Sequence, residues 1–303
     1  EASPESGNLT EIVGTGPYKW TEYKEDQYVR LTKFDKYVSR NDKPNYQTGK
    51  KVPYLDQIVF WIVPEYTTRL AGLETGDYDV ITKVQTADYD RLKSSKNVEA
   101  IIKGPANNIY LMFNQQKGLT SKLNIRRAIQ AAINAEEIMG AAVPNSKFRV
   151  IDPSLYPPES AYYNFAGGDL YNQNDVEKAQ EYLKKANYNG EPITFQSIAT
   201  NPLQVRVGVA LVSQLKKAGM NAELKSLDLQ TWVSNRRNGD ALMMYHSGGN
   251  WIDPSLYQPE FNGTFPSIET AFSNSEVDDV FRALNEATDF QKRKKHAREL
   301  QWQ

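Results

Sequence analysis

Between Asp175 and Leu227 the chain alternates helix-forming and strand-forming segments, and this alternation restricts the fold more than any other feature. Asp175 stands where an N-cap belongs, ahead of an amphipathic run from Val176 to Ala186 that Asn187 to Gly190 ends. Ile193 to Ile198 reads as a strand, Gln204 to Ala218 as a helix closed by Gly219, and Asn221 to Leu227 as a second strand. Alternation of this kind builds a sheet with helices packed on it, so the expected class is α/β. Leu229 to Asn238 adds a short helix. Ala241 to Tyr245 adds a strand that opens into a glycine loop, Ser247-Gly248-Gly249-Asn250, and helices near 275–288 and 289–301 finish the chain.

Upstream the pattern is mixed. Gly14 to Tyr18 is a turn cluster, and Tyr28 to Phe34 and Gln57 to Val63 read as strands joined by a Lys-rich loop from Asp35 to Lys51. Tyr66 to Thr75 reads as a helix ending on Gly76, and Asp88 to Ser94 as a shorter one. Asp79 to Thr82, Asn97 to Lys103 and Asn108 to Asn114 are expected to be strands. From Ser121, Ile125, Ala128, Ile129, Ala132 and Ile133 recur at helical spacing, which predicts one helix to about Met139. The Pro- and Tyr-rich residues 143–172 predict an irregular segment that wraps a surface or lines a cleft.

Composition narrows the function. A chain of 303 residues is long enough for two lobes. A net charge of −1 offers no broad field for nucleic acid or an anionic membrane. Cysteine is absent, which removes disulfides, thiolate zinc sites and Cys nucleophiles. The longest apolar runs fall far short of the ~18–20 residues that cross a bilayer. His246 and His296 are the two histidines, and no His pair or His–carboxylate cluster marks a metal site. His296 lies among Lys292, Arg293, Lys294, Lys295 and Arg298, a run that reads as a solvated face. There is no Gly-x-Ser-x-Gly elbow, and Gly14-Thr15-Gly16 lacks the Lys-Ser/Thr of a phosphate loop. No feature selects a reaction.

The segment Tyr245 to Pro259 differs from the rest of the chain. A strand runs into glycines that allow close backbone approach, and an amide (Asn250), an indole (Trp251) and a carboxylate (Asp253) follow within four residues. Ligands gather at strand ends in α/β sheets. Plain packing remains the competing explanation, with Trp251 plugging the lobe and Asp253 starting an Asp-Pro turn.

Several segments together carry a resemblance. Gly14-Thr15-Gly16-Pro17-Tyr18 comes first, then Pro53-Tyr54-Leu55-Asp56-Gln57-Ile58, then Arg69-Leu70-Ala71-Gly72-Leu73 with Gly76-Asp77-Tyr78-Asp79-Val80. Leu111-Met112-Phe113-Asn114, Ile125-Arg126-Arg127-Ala128 with Ala132-Ile133-Asn134, Asp175 to Ala186, Gln214 to Met220 and Trp251 to Pro254 follow in order. The sequence resembles the extracytoplasmic solute-binding proteins of ABC importers, oligopeptide and dipeptide (family 5) type. The resemblance implies a bilobal, type II periplasmic-binding-protein-like α/β fold, present in part: residues 1–108 from a split first lobe, and 109–303 a second lobe cut before its return strand. It also implies hinge closure near residues 106–114 over a small polar solute, delivery to an ABC permease, no catalysis, no cofactor, a monomer, and a periplasmic or extracytoplasmic location, with any signal peptide outside this chain.

Two departures bear on the ligand. The family's Arg-Asn-x-x-Tyr-Trp is replaced by Lys33 to Val38. In peptide-binding members an Asp three residues before the Asp-Pro pairs with the peptide ammonium; here that position is Asn250, a neutral amide. An amide beside Trp251, with Tyr245 and Trp232 in the same lobe, would suit a sugar, a sugar-phosphate or an opine as well as a peptide. The expected ligand-binding residues are Asn114, Tyr245, His246, Asn250, Trp251 and Asp253. A ligand-sensing module and a carbohydrate hydrolase are the alternatives in function.

Overall fold

The computed structural model describes residues 12–44, 49–102, 107–115, 117–238, 243–249, 253–257 and 274–302. By internal packing the chain divides into two units, Glu1–Ile101 and Ile102–Gln303.

The first unit carries an antiparallel meander of β1 (Tyr18–Lys24), β2 (Tyr28–Lys33) and β3 (Gln57–Trp61). β2 and β3 lie where their aromatic and β-branched residues predict. β1 lacks a clean alternation in sequence because its register shifts between Trp20 and Glu22, an irregularity that moves later residues to the other face. Helix α1 (Tyr66–Thr75) ends on Gly76, whose φ of +86° favours a residue without Cβ. Helix α2 (Tyr89–Lys93) occupies the predicted short helix. The strands expected at 79–82 and 97–103 do not form over their described residues. A strand exists through a hydrogen-bonded neighbour, and none of the described strands runs beside either segment.

In the second unit β4 (Asn107–Phe113), β5 (Ile193–Ile198), β6 (Ala222–Leu227) and β7 (Met243–Gly249) form a sheet of order β4-β7-β5-β6. β5 is parallel to both β6 and β7, and β4 is antiparallel to β7. β7 corrects the expected glycine loop: Ser247, Gly248 and Gly249 remain in the strand, opposite Ile109, Asn108 and Asn107. Glycine weakens a strand, but here the ladder from β4 outweighs that preference.

Helix α3 (Leu123–Ala132) and helix α4 (Ala135–Ala142) replace the single helix expected to Met139. The break falls at Asn134, whose side chain accepts the Glu137 amide and so caps a new helix. The buried Gln214 completes the break: its Oε1 accepts the Asn134 amide at 3.0 Å and its Nε2 donates to the Asn134 carbonyl at 3.2 Å. Helix α5 (Val176–Lys185) is capped by Asp175, as its sequence predicts. Helix α6 (Pro202–Lys217) is capped by Asn201, with Pro202 in its first turn. α6 lies close to the sheet, since a Cβ on Gly208 would sit 2.7 Å from Leu224 and 2.8 Å from Phe195. The main core gathers Ile125, Ile129, Phe195, Leu211 and Leu215 on this side. Helix α7 (Leu229–Asn238) covers the alternate residues of β5, where Asn235 Nδ2 donates to Gln196 Oε1, and buries Trp232 against Met112.

A separate cluster joins helix α8 (Ser275–Glu286) and helix α9 (Phe290–Trp302) to the irregular 143–172 segment and to the Pro254–Tyr257 turn. Tyr156, Tyr257, Phe281, Leu284, Ala297 and Leu300 fill it. Tyr156 OH donates to the Ala297 carbonyl at 2.9 Å, and Tyr257 OH donates to the Leu155 carbonyl at 2.8 Å.

Candidate functional site

The parallel strands β5, β6 and β7 all run towards one end of the sheet and finish there at Ile198, Leu227 and Gly249. The start of β4, Asn107, faces Gly249 at that same end. The chain leaving β7 is next described at Asp253, which opens the Pro254–Tyr257 turn.

Asp253 is held firmly. Arg293 Nη2 donates to both of its carboxylate oxygens at 2.8 Å. The Ser255 amide and hydroxyl donate to Oδ1 at 2.9 and 2.6 Å. Burial pushes the Asp253 carboxyl up, but the Ser255 donors and the Arg293 charge outweigh burial and hold it below the ordinary aspartate range. Arg293 is itself mostly buried, at 20% side-chain exposure. Its Nη1 donates to the Leu284 carbonyl at 2.7 Å and its Nε to Tyr162 OH at 3.3 Å. One guanidinium therefore ties together the 253–257 turn, the last turns of α8 and the 143–172 segment.

The expected site residues do not all meet. The β4–β7 register sets Tyr245 opposite Leu111 and His246 opposite Tyr110, on alternate faces of the sheet. Asn250 and Trp251 lie outside the described residues. Asn114 follows the far end of β4, beyond Phe113, which pairs with Met243. At ~3.3 Å per residue the strand separates it by about 20 Å from the end where β7 stops. Asn114 is buried and shapes a turn: its Oδ1 accepts the Lys117 amide at 2.9 Å and its carbonyl accepts the Thr120 hydroxyl at 2.7 Å. Residues 107–113, expected within a hinge, are a strand of the second unit's sheet.

Three side chains depart from their sequence reading. Arg293, placed by composition on a solvated face, is a part-buried clamp. It shares a stripe with the buried Ala297 and Leu300, at spacings of four and seven, and that periodicity was the available signal. His296 is partly buried, with Nδ1 2.8 Å from Glu299 Oε2. Trp232 is a buried packing residue whose ring carries the Arg236 guanidinium, 5.6 Å from its centroid. Among the described residues no group of three or more His, Asp or Glu could hold a metal ion.

The sequence matches the family model described as "Bacterial extracellular solute-binding proteins, family 5 Middle" over residues 1–267. Heme-binding protein A of Haemophilus influenzae is 29% identical over 285 residues, covering 91% of this chain and 49% of the relative. Dipeptide-binding protein DppE of Bacillus subtilis is 26% identical over 289 residues, covering 91% of this chain and 50% of the relative. The chain thus spans about half the length of the curated relatives it matches. Among solved structures, AgaA from A. tumefaciens R10 in complex with agropinic acid superposes with a TM-score of 0.73 at 21% identity, covering 94% of this chain and 57% of that one. The fold is that of the periplasmic-binding-protein-like α/β proteins.

Proposed function

The chain belongs to the bacterial extracellular solute-binding proteins of family 5, and from that premise we propose that the full-length protein binds a small polar solute outside the cytoplasm and delivers it unaltered to an ABC permease. The observation that carries this reading is the family match over residues 1–267. A relative named as dipeptide-binding favours a short peptide as the solute. The proposed contact residues are Asn250 and Trp251, beyond the end of β7, with Tyr245 and His246 on the strand that leads to them. Asp253, whose carboxylate is held by Arg293 and Ser255 yet 41% exposed, stays among the proposed contact residues. Asn114, at the opposite end of β4, is left out of this site.

One residue favours a second solute. Asn250 supplies no charge for a peptide ammonium, and a structural neighbour holds agropinic acid, so agropinic acid or a similar small polar solute is the other reading. Calorimetric titration of the full-length protein with trialanine, N-acetyl-trialanine and agropinic acid separates the two. The peptide reading expects trialanine and its acetylated form to bind with similar affinity, because a neutral amide gains little from the ammonium. Asn250→Asp should then tighten trialanine about tenfold and leave the acetylated peptide unchanged. Binding of agropinic acid alone selects the second reading. No binding of any of the three overturns both.

A further inference from the structure

We propose that the exposed face of α9 docks the protein on an anionic lipid surface, with Lys292, Lys294 and Arg298 meeting phosphate headgroups and the Trp302 and Phe165 rings seated at the lipid–water boundary. The proposal rests on the family assignment and is independent of which solute is bound.

The two sides of α9 differ sharply. Ala297 and Leu300 are buried and Arg293 is partly buried, whereas Lys292, Lys294, Lys295, Arg298 and Trp302 are exposed. The chain's net charge of −1 therefore hides a local concentration, four exposed cations within seven residues. Glu299 is the one carboxylate of the helix, and it is shared between Lys295 at 3.7 Å and His296 Nδ1 at 2.8 Å. Lys292, Lys294 and Arg298 enter no ion pair among the described residues. Lysine and arginine are seldom buried without a partner, so three such cations mark a face that meets water or an anionic partner in the full-length protein as well. The composition of the face selects a lipid over a protein. Protein interfaces are enriched in Arg and depleted in Lys, because the planar guanidinium suits a fixed bidentate contact. Three of these four cations are lysines, compact charges on flexible stems that suit a diffuse layer of phosphates. Trp302 is 60% exposed and Phe165 57%. Both lie at the same end of the helix: a Cβ on Gly167 would sit 3.7 Å from the Trp302 ring, and one on Gly168 would sit 3.8 Å from Phe165 Cβ. Exposed aromatic rings beside a row of cations are the pattern of a membrane-surface helix, with the rings at headgroup depth and the charges on the phosphates. Bacterial membranes are rich in phosphatidylglycerol, and the family is extracellular, so such a surface bounds the space in which the protein works.

The test is co-sedimentation of the full-length protein, produced without any lipid anchor, with sucrose-loaded vesicles of phosphatidylglycerol and phosphatidylethanolamine or of phosphatidylcholine alone. Wild type should partition onto the anionic vesicles at about 20 mM salt, lose that binding at about 0.5 M, and ignore phosphatidylcholine. Lys292→Gln/Lys294→Gln/Arg298→Gln should weaken partition about 100-fold, at roughly fivefold per cation, and Trp302→Ala should weaken it severalfold. Lys184→Gln/Lys185→Gln/Lys216→Gln, which removes three exposed cations from α5 and α6, should bind as the wild type does. The readout needs no solute, so loss of the solute reading would leave the result standing. No partition of the wild type at low salt, equal weakening by the two triple variants, or partition insensitive to salt would overturn the proposal. Binding to cell membranes that protease treatment abolishes, with none to the lipid vesicles, would assign the face to an acidic protein and overturn the proposal as well.

Discussion

Arg293, Asp253 and Gln214 show how far a single side chain can decide local geometry in this protein. The Asp253 carboxyl has a folded value held below the ordinary one. Its stabilising contribution is therefore full above about pH 3.9 and is lost as pH falls through the lower folded value. Denaturant unfolding of wild type and Asp253→Asn should show a gap in midpoint at about pH 6 that narrows towards about pH 3; a gap independent of pH would contradict the ion pair. Gln214 satisfies both backbone groups of Asn134 and also donates to Glu137 Oε2 at 2.9 Å. Gln214→Ala should cost ~1–3 kcal/mol, read as a lower denaturation midpoint at unchanged slope. An unchanged midpoint would mean that water replaces the amide at no cost. Neither role stands out in the sequence. Gln214 lies in a run that reads as an ordinary amphipathic helix, and Arg293 was hidden among four neighbouring cations whose charge masked its helical stripe.

At the level of elements, the sequence was most informative where local chemistry and tertiary packing agree. Asp175 and Gly76 terminate helices as their chemistry predicts, and the βα alternation from Asp175 to Leu227 is reproduced in the sheet. Local preference misled where the partner decides. Residues 79–82 have strand composition and no neighbour among the described strands, whereas Gly248 and Gly249 have poor strand composition and a complete ladder with β4. The α3–α4 break was missed because the apolar spacing continues past it, while the cap at Asn134 depends on Gln214 from another helix. Close helix–sheet packing gives a direct test. Gly208→Val places two further carbons where a single Cβ already meets Phe195 and Leu224. It should destabilise the second unit by ~1–3 kcal/mol in thermal or denaturant unfolding. An unaltered midpoint would show that α6 can shift away without loss. Asn201→Ala, which removes the α6 cap, should cost ~0.5–2 kcal/mol in the same assay.

For the whole molecule, family and fold were legible because the motifs run in order along the chain, while the candidate site was legible only in part. Asn114 entered the expected site through its motif alone, and the antiparallel direction of β4, which no motif records, places it at the other end of the sheet. The hold of Arg293 on Asp253 could be seen only once α9 was packed against the Pro254–Tyr257 turn. On the function proposed above, the full-length protein takes up a small solute reversibly and changes no bond in it. Native mass spectrometry of the full-length protein mixed with trialanine or agropinic acid tests that claim most directly. A one-to-one complex that releases on denaturation a compound of unchanged mass is the predicted result; no complex with either, or a released compound of altered mass, would contradict it.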